Sequence, residues 1–252
     1  MSEDNMRVSS HVDENGIATI SMHDEEGKNT FTDSFIEEFV FNLDKLEARG
    51  DVRVCLIQGL PDVFCGGAEK EALLDLCDGK TVVKDLVISE RLVSTPFPVI
   101  AAMEGHAIGG GLAVAVCCDV VIAARESRYG AVFMSMGFTP GMGITTLLPE
   151  LMGPYVAAEM MYTGKRFRGS ELELKGTNIN YIVPRAEVIR RAADVARQIG
   201  DKNPKSVALL KYALAAGKRK LLIDARVQED MMHRISFGFP ETRNTILDAY
   251  AH

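Results

Sequence analysis

The chain has 252 residues, 47% of them hydrophobic and 25% charged, enough to bury one substantial core of ordinary domain size. Its 28 Lys and Arg against 35 Asp and Glu leave a net charge of −7, and no basic helix is interleaved with aromatic residues, which excludes nucleic acid as a partner. The most apolar stretch, Gly111 to Ala124, is shorter than the about 20 residues of a membrane span and carries Asp119, which excludes a transmembrane segment.

The opening Met1-Ser2-Glu3-Asp4-Asn5 is acidic and leads to no apolar signal region. Five cysteines (Cys55, Cys65, Cys77, Cys117, Cys118) show no CxxC and no histidine at ligand spacing, so they read as buried reduced thiols of a cytoplasmic protein without a metal site.

In chain order, Val8 to His11 and Ile17 to Ser21 flank Asp13-Glu14-Asn15-Gly16, the chemistry of a hairpin turn between two strands. From Thr32 to Arg49 the apolar residues Phe35, Ile36, Phe39, Val40, Leu43 and Leu46 recur at helical spacing, with capping oxygens on Thr32, Asp33 and Ser34 and a stop at Gly50. Arg53 to Gln58 predicts a buried strand before the turn Gly59-Leu60-Pro61-Asp62. Pro98 to Met103 and Asp119 to Ala123 repeat that pattern, each preceded by helical sequence, and the alternation predicts an α/β fold.

Beyond Gly143 the pattern turns helical: Ile144 to Leu151, Pro154 to Tyr162, Ser170 to Lys175, Ala186 to Gly200, Ser206 to Ala216 and Leu221 to Ser236. With no low-complexity linker and no fixed-period repeat, one domain is expected, residues 1–190 forming the core and 191–252 a helical C-terminal subregion. Lys211, Lys218, Arg219, Lys220 and Arg226 form a local basic cluster that suits either a solvated helix face or an acidic partner.

Two glycine-bearing segments carry the chemistry. Phe64-Cys65-Gly66-Gly67-Ala68 follows a predicted strand and turn, and its glycines let a ligand approach the backbone. Gly105-His106-Ala107-Ile108-Gly109-Gly110-Gly111 follows a strand and opens a helix, so free N–H groups and the positive helix end face one spot. Together two such turns can present two N–H groups to one oxygen, as required when a thioester carbonyl becomes an enolate. Singly, each is equally a tight turn, because a glycine triplet lacks the spacing of a phosphate-binding loop.

Four segments, Phe64 to Ala68, Ala101 to Gly111, Cys118 to Ala123 and Gly137-Phe138-Thr139-Pro140-Gly141-Met142-Gly143, resemble successive signatures of the enoyl-CoA hydratase/isomerase (crotonase) superfamily, in the family's order and over nearly the whole chain. The resemblance implies a crotonase fold, a spiral of ββα units with a helical C-terminal subregion, assembled as a homotrimer or hexamer. It also implies oxyanion-hole N–H groups at Ala68 and Gly110, with Gly67 and Gly109 beside them. Hydratases of the family place one glutamate three residues after the oxyanion-hole glycine and another just before the Gly-x-x-Pro-Gly turn. Here those positions hold Ala113 and Phe133, which cannot handle a proton, so hydration and the isomerases' 1,3-proton shift are both disfavoured.

Loss of CO2 from an acid β or vinylogous to a thioester needs no base, because the departing carboxylate leaves its electrons as the enolate. An oxyanion hole and a proton donor suffice, and a wall of Ala113 and Phe133 would solvate the substrate carboxylate poorly. Ala68-Glu69-Lys70-Glu71-Ala72-Leu73-Leu74, Met136 to Gly143, Tyr162-Thr163-Gly164 and Met231-Met232-His233 resemble the decarboxylating crotonases of polyketide-synthase β-branching cassettes, which convert a 3-methylglutaconyl group on an acyl carrier protein to 3-methylcrotonyl.

That resemblance implies a cofactor-independent decarboxylase whose substrate rides on an acyl carrier protein or coenzyme A. By its charge, the basic cluster suits docking of an acidic carrier protein or equally an ordinary surface. His233 and a lysine after the first oxyanion element would handle the carboxylate and the proton. Lys80 suits the lysine best, with Lys84 and Lys70 as alternatives. Without the resemblance, His233 is a surface histidine one turn from Glu229. His106 reads as a backbone support, and His11, His23 and His252 give no signal. Two rivals stay open: an isomerase or hydratase using Glu69, Glu71 or Glu104, and a crotonase-fold scaffold without catalysis.

Overall fold

The computed structural model describes residues 6–82 and 86–251. Its strands are β1 (Val8–Val12), β2 (Ile17–Met22), β3 (Thr30–Phe31), β4 (Val54–Gln58), β5 (Val63–Cys65) and β6 (Gly67–Ala68), then β7 (Val99–Met103), β8 (His106–Ile108), β9 (Val120–Ala124), β10 (Arg128–Gly130), β11 (Phe167–Arg168) and β12 (Tyr181–Val183). The α-helices are α1 (Asp33–Arg49), α2 (Lys70–Cys77), α3 (Leu86–Ser94), α4 (Gly110–Cys117) and α5 (Ile144–Met152), then α6 (Pro154–Thr163), α7 (Gly169–Leu174), α8 (Val188–Gly200), α9 (Pro204–Ser236) and α10 (Thr242–Ala249).

The chain visits two sheets alternately. The larger has the order β1-β2-β4-β7-β9-β12, antiparallel between β1 and β2 and parallel elsewhere. The smaller has the order β11-β10-β8-β5, parallel except between β10 and β11, and β3 pairs with β6 apart from both. After each central strand of the large sheet the chain enters the small sheet and then turns into helix: β4, β5, α2; β7, β8, α4; β9, β10, then a 3-10 turn over Val132–Met136 and α5. This repeated ββα unit is the expected crotonase spiral.

The central strands are apolar on both faces because both are covered, as parallel strands require. Cys55, Ile57, Val99, Ala101, Met103, Val121 and Ala123 face the main core. The alternate residues Val54, Leu56, Ile100, Ala102, Ile122 and Ala124 pack against Val188, Ala192 and Ala196 of α8. The predicted boundary at residue 190 therefore falls inside a helix that covers the sheet. Helix α1 starts and stops as its sequence dictates: Phe35 N–H donates to Thr32 Oγ1 at 3.1 Å, and Gly50 closes the helix at φ 72°.

One helix replaces the two predicted from Ser206 to Ala216 and from Leu221 to Ser236. Gly217 costs a helix only about 1 kcal/mol relative to alanine, and outside contacts hold α9 on both sides of it. Lys211 Nζ lies 2.7 Å from Asp119 Oδ2, which also accepts the Val99 N–H at 2.8 Å. Lys218 Nζ donates to the carbonyls of Val116 and Cys118 at the end of α4.

The same contacts draw Lys211 out of the expected basic cluster, because it is buried. Lys218 and Arg219 are half-buried, whereas Lys220 and Arg226 stay exposed, Arg226 pairing with Glu90 and Arg219 donating to the Tyr212 carbonyl. Among the described residues no helix is long and apolar enough to cross a membrane.

Replacing Lys211 by Met strands Asp119 against the core, and we expect it to cost about 3 kcal/mol of unfolding free energy. The double variant Lys211→Met with Asp119→Asn keeps an acceptor for Val99 and should cost less, a difference that urea denaturation measures.

Candidate active site

β5 and β8 are parallel neighbours with Cys65 opposite Ala107, so both leave their sheet at the same edge. β5 continues through Gly66 into β6, and β8 through Gly109 into α4. A Cβ on Gly67 would fall 2.6 Å from the Ile108 carbonyl oxygen and 3.1 Å from the Gly110 nitrogen. The two turns therefore meet backbone to backbone, and Gly67 also uses left-handed backbone at φ 85°. Gly110 opens α4, whose first N–H groups have no intrahelical acceptor, and every residue of α4 is buried, so its positive end acts in a low-dielectric setting.

These turns face a cavity of about 660 Å³. Ala68, Gly109, Gly110, Phe133 and His233 all line it. Gly67 and Ala113, expected in the pocket, are set behind its surface, and Ala113 is packed in the core one turn beyond Gly110, where a methyl group does not reach the cavity. Lys80 is off the cavity as well. Its ammonium lies 2.8 Å from Asp78 and 3.4 Å from Asp75, and the hydrogen bonds to these two carboxylates raise its pKa. Lys70 does not line the cavity, and Lys84 and His252 lie outside the described residues.

His233, on α9, makes edge contacts with Phe138 and Phe237, and its Nε2 lies 2.8 Å from the Thr139 carbonyl oxygen. A carbonyl only accepts, so Nε2 carries the proton and Nδ1 the lone pair of the neutral ring. A Cβ on Gly141 would fall 2.4 Å from His233 Cε1, which requires glycine there. Burial lowers the His233 pKa from its ordinary 6.5, against a smaller raising effect of the Thr139 carbonyl.

Glu229, one turn earlier, is not the partner of His233 that helical spacing suggests. It is buried and accepts from Gly143 N–H at 2.7 Å, Thr145 N–H at 3.0 Å and Thr145 Oγ1 at 2.6 Å, capping α5. Burial raises its pKa. The bond to Gly143 clamps α9 onto the turn that seats His233.

The wall next to Ala68 is acidic, with Asp33, Glu69, Glu71 and Asp75 lining it. Burial and then the charge of Glu71 raise the pKa of Glu69. Glu104 is off the cavity. Tyr250, just after α10, also lines the site and donates from its phenol to the Ala68 carbonyl at 2.7 Å. Sequence reasoning missed Tyr250 and the role of Glu229, because their partners lie 182 and 84 to 86 residues away. His106 supports the backbone as expected: its Nδ1 accepts from Arg128 N–H at 2.9 Å, joining β8 to β10. Among the described residues no cluster of three or more His, Cys, Asp or Glu is placed to hold a metal ion.

The spiral and its paired glycine turns define a crotonase. The enoyl-CoA hydratase/isomerase family model matches residues 12–250, and the chain belongs to that family. It is similar to the bacillaene synthase decarboxylase PksI of Bacillus subtilis (strain 168), 33% identical over 239 residues that cover 95% of this chain and 96% of that protein. It is similar in structure to the ECH2 decarboxylase domain of CurF from Lyngbya majuscula, with 32% identity and a TM-score of 0.92 over 97% of this chain and 100% of that one. A protein described within a dehydratase/decarboxylase enzyme couple involved in polyketide β-branching has 32% identity and a TM-score of 0.94, over 98% and 100% of the two chains.

Glu229→Ala leaves three donors at the start of α5 without their acceptor and should lower stability by about 2–3 kcal/mol, read as a fall in the thermal midpoint. His233 gives a pH signature. With its folded pKa below 6.5, the unfolded chain binds the proton more readily, so stability that is complete above 6.5 declines as pH falls below it. In His233→Gln that decline should be shallower, as measured by urea denaturation from about pH 7 to about pH 5.

Proposed function

We propose that this chain, a decarboxylating lyase of the crotonase family, releases CO2 from a 3-methylglutaconyl-type acyl thioester on an acyl carrier protein in polyketide β-branching. The observation that carries this reading is one cavity in which the turns at Ala68 and Gly110 meet and whose lining beside Gly109 presents Phe133, joined to Phe138 and His233, in place of a carboxylate. The names of the similar decarboxylases support the same class.

The amides of Ala68 and Gly110 take the thioester oxygen. Like charge turns the substrate carboxylate away from Glu69 and Glu71 and toward Phe133, Phe138 and His233. There it is poorly solvated. Breaking its bond to carbon passes an electron pair into the conjugated acyl group, and the negative charge of the resulting dienolate rests on the thioester oxygen. The substrate anion also opposes the burial that keeps His233 neutral, so a proton taken up at Nδ1 is available for carbon. One CO2 leaves and one proton is added, so the reaction balances without a cofactor.

Assembly as a homotrimer or hexamer belongs to the same reading. It is supported by Ile223, Val227, Met231 and Ile235, which leave an exposed apolar stripe at four-residue spacing on α9.

A second reading rests on Glu69, which lines the cavity with a raised pKa: an isomerase or hydratase using it as the acid. Glu69 stands among the other carboxylates on the Ala68 side, however, and Phe133 leaves the opposing position without a base.

Incubating 3-methylglutaconyl carrier protein with the enzyme should remove about 44 Da, the mass of CO2, in an intact-mass measurement. His233→Gln should slow that loss roughly 10²- to 10⁴-fold, and a crotonyl thioester without the extra carboxylate should be returned unchanged. Turnover of the crotonyl thioester, with no CO2 from the carboxylated one, would establish the second reading, and Glu69→Gln should then abolish the activity.

A further inference from the structure

Ala68 is weakly held by its own neighbours. It ends a strand of two residues, β6, whose partner β3 is equally short. Gly67 before it has φ 85° and no side chain to restrict rotation. Glu69 after it is the N-cap of α2 and makes no side-chain capping bond. An oxyanion amide stabilises charge only when it is aimed before the reaction begins, so this residue needs a brace from elsewhere.

The phenol of Tyr250 supplies it. Its hydrogen bond to the Ala68 carbonyl, at 2.7 Å, comes from a separate, anchored element. At the start of α10, Thr242 Oγ1 shares its one hydroxyl proton between the carbonyls of Gly137, at 2.9 Å, and Ser236, at 2.8 Å, and Ile246 on the same helix is buried. Burial, then Glu71 and Glu69, push the phenol pKa up to about 12, so it remains a donor throughout the neutral range.

We propose that Tyr250 is a positioning residue for the first oxyanion amide: by pinning the Ala68 carbonyl it stops the preceding peptide from rocking about Gly67. This rests on the reading of Ala68 as an oxyanion donor. It also explains why a side chain just after α10 reaches the wall of a cavity built from the spiral.

Tyr250→Phe keeps the ring and removes the bond. The infrared carbonyl stretch of a bound enoyl pantetheine thioester, free of carboxylate and ¹³C-labelled at the carbonyl, reports how strongly the hole polarises the oxygen. In the variant that band should lose part of its red shift. In decarboxylation kcat should fall roughly ten-fold, with KM within about twofold of wild type and folding intact.

An unchanged band, or a raised KM with kcat preserved, overturns the proposal. A wild-type-like Tyr250→Phe beside a defective Tyr250→Ala does so too, because it assigns the ring to packing. Absence of any red shift in the wild-type protein removes the oxyanion hole and Tyr250's role with it. A wild-type protein that shifts the band without releasing CO2 sinks the decarboxylase reading alone, and the effect of Tyr250→Phe on the band still decides the role of Tyr250.

Discussion

At the edge where β5 and β8 leave their sheet, a Cβ on Gly67 would meet the Ile108 carbonyl at 2.6 Å, and one on Gly111 would meet the Cys65 carbonyl at 2.1 Å. Real Cβ atoms do not come so close, so the two turns can touch only as bare backbone. The meeting of the two turns therefore comes from the register of two parallel strands, Cys65 opposite Ala107, and the aim of the Gly110 amide from the start of a buried helix. A site made of peptide groups needs no particular side chain at its centre. The chemistry is left to whatever lines the cavity around it.

Here that lining is divided. Helices α1 and α2 contribute Asp33, Glu69, Glu71 and Asp75, whereas Phe133, Phe138, Phe237 and His233 form a continuous aromatic part of the lining that reaches Gly109. The lining also includes the guanidinium-bearing Arg166, so an anionic acyl group meets carboxylates, one permanent cation and an ionisable imidazole in the same cavity. Glu229 is engaged away from that imidazole. By accepting from Gly143 and Thr145, Glu229 holds α9 to the Gly141–Gly143 turn, and of the neighbouring carboxylates it is Asp230 that acts on the imidazole, more weakly than burial.

The elements that were legible in the sequence are those whose stability is local or whose burial is complete. Helix α1 carries its own cap and stop, and β4, β7 and β9 read as continuous apolar runs because both faces are covered. The small sheet left no comparable trace: β5, β8, β10 and β11 are two or three residues each, and they are strands only through their pairing with one another. Gly217 read as a helix break because Lys211 and Lys218 find their partners about 100 residues away. Within the site, Ala68, Gly110, Phe133 and His233 were named in advance because motif spacing carries them. Lys80 stands off the cavity lining for a local reason, since Asp75 and Asp78, within five residues of it, engage its ammonium.

The missing acid and the seated histidine are one structural fact. Phe133 packs edge-on against Phe138, with centroids 6.0 Å apart. Phe138 stacks on Phe237 at 4.6 Å, and both Phe138 and Phe237 present ring edges to His233. Phe133 is only 7% exposed. A glutamate at that position would be desolvated among rings that offer it no hydrogen bond, and it would remove the first member of the aromatic chain that seats His233. A base at residue 133 and an imidazole held by Phe138 and Phe237 are thus competing designs for one wall. A wall that selects the rings gives up control of water and keeps a low-dielectric pocket in which a substrate carboxylate is the least stable group present.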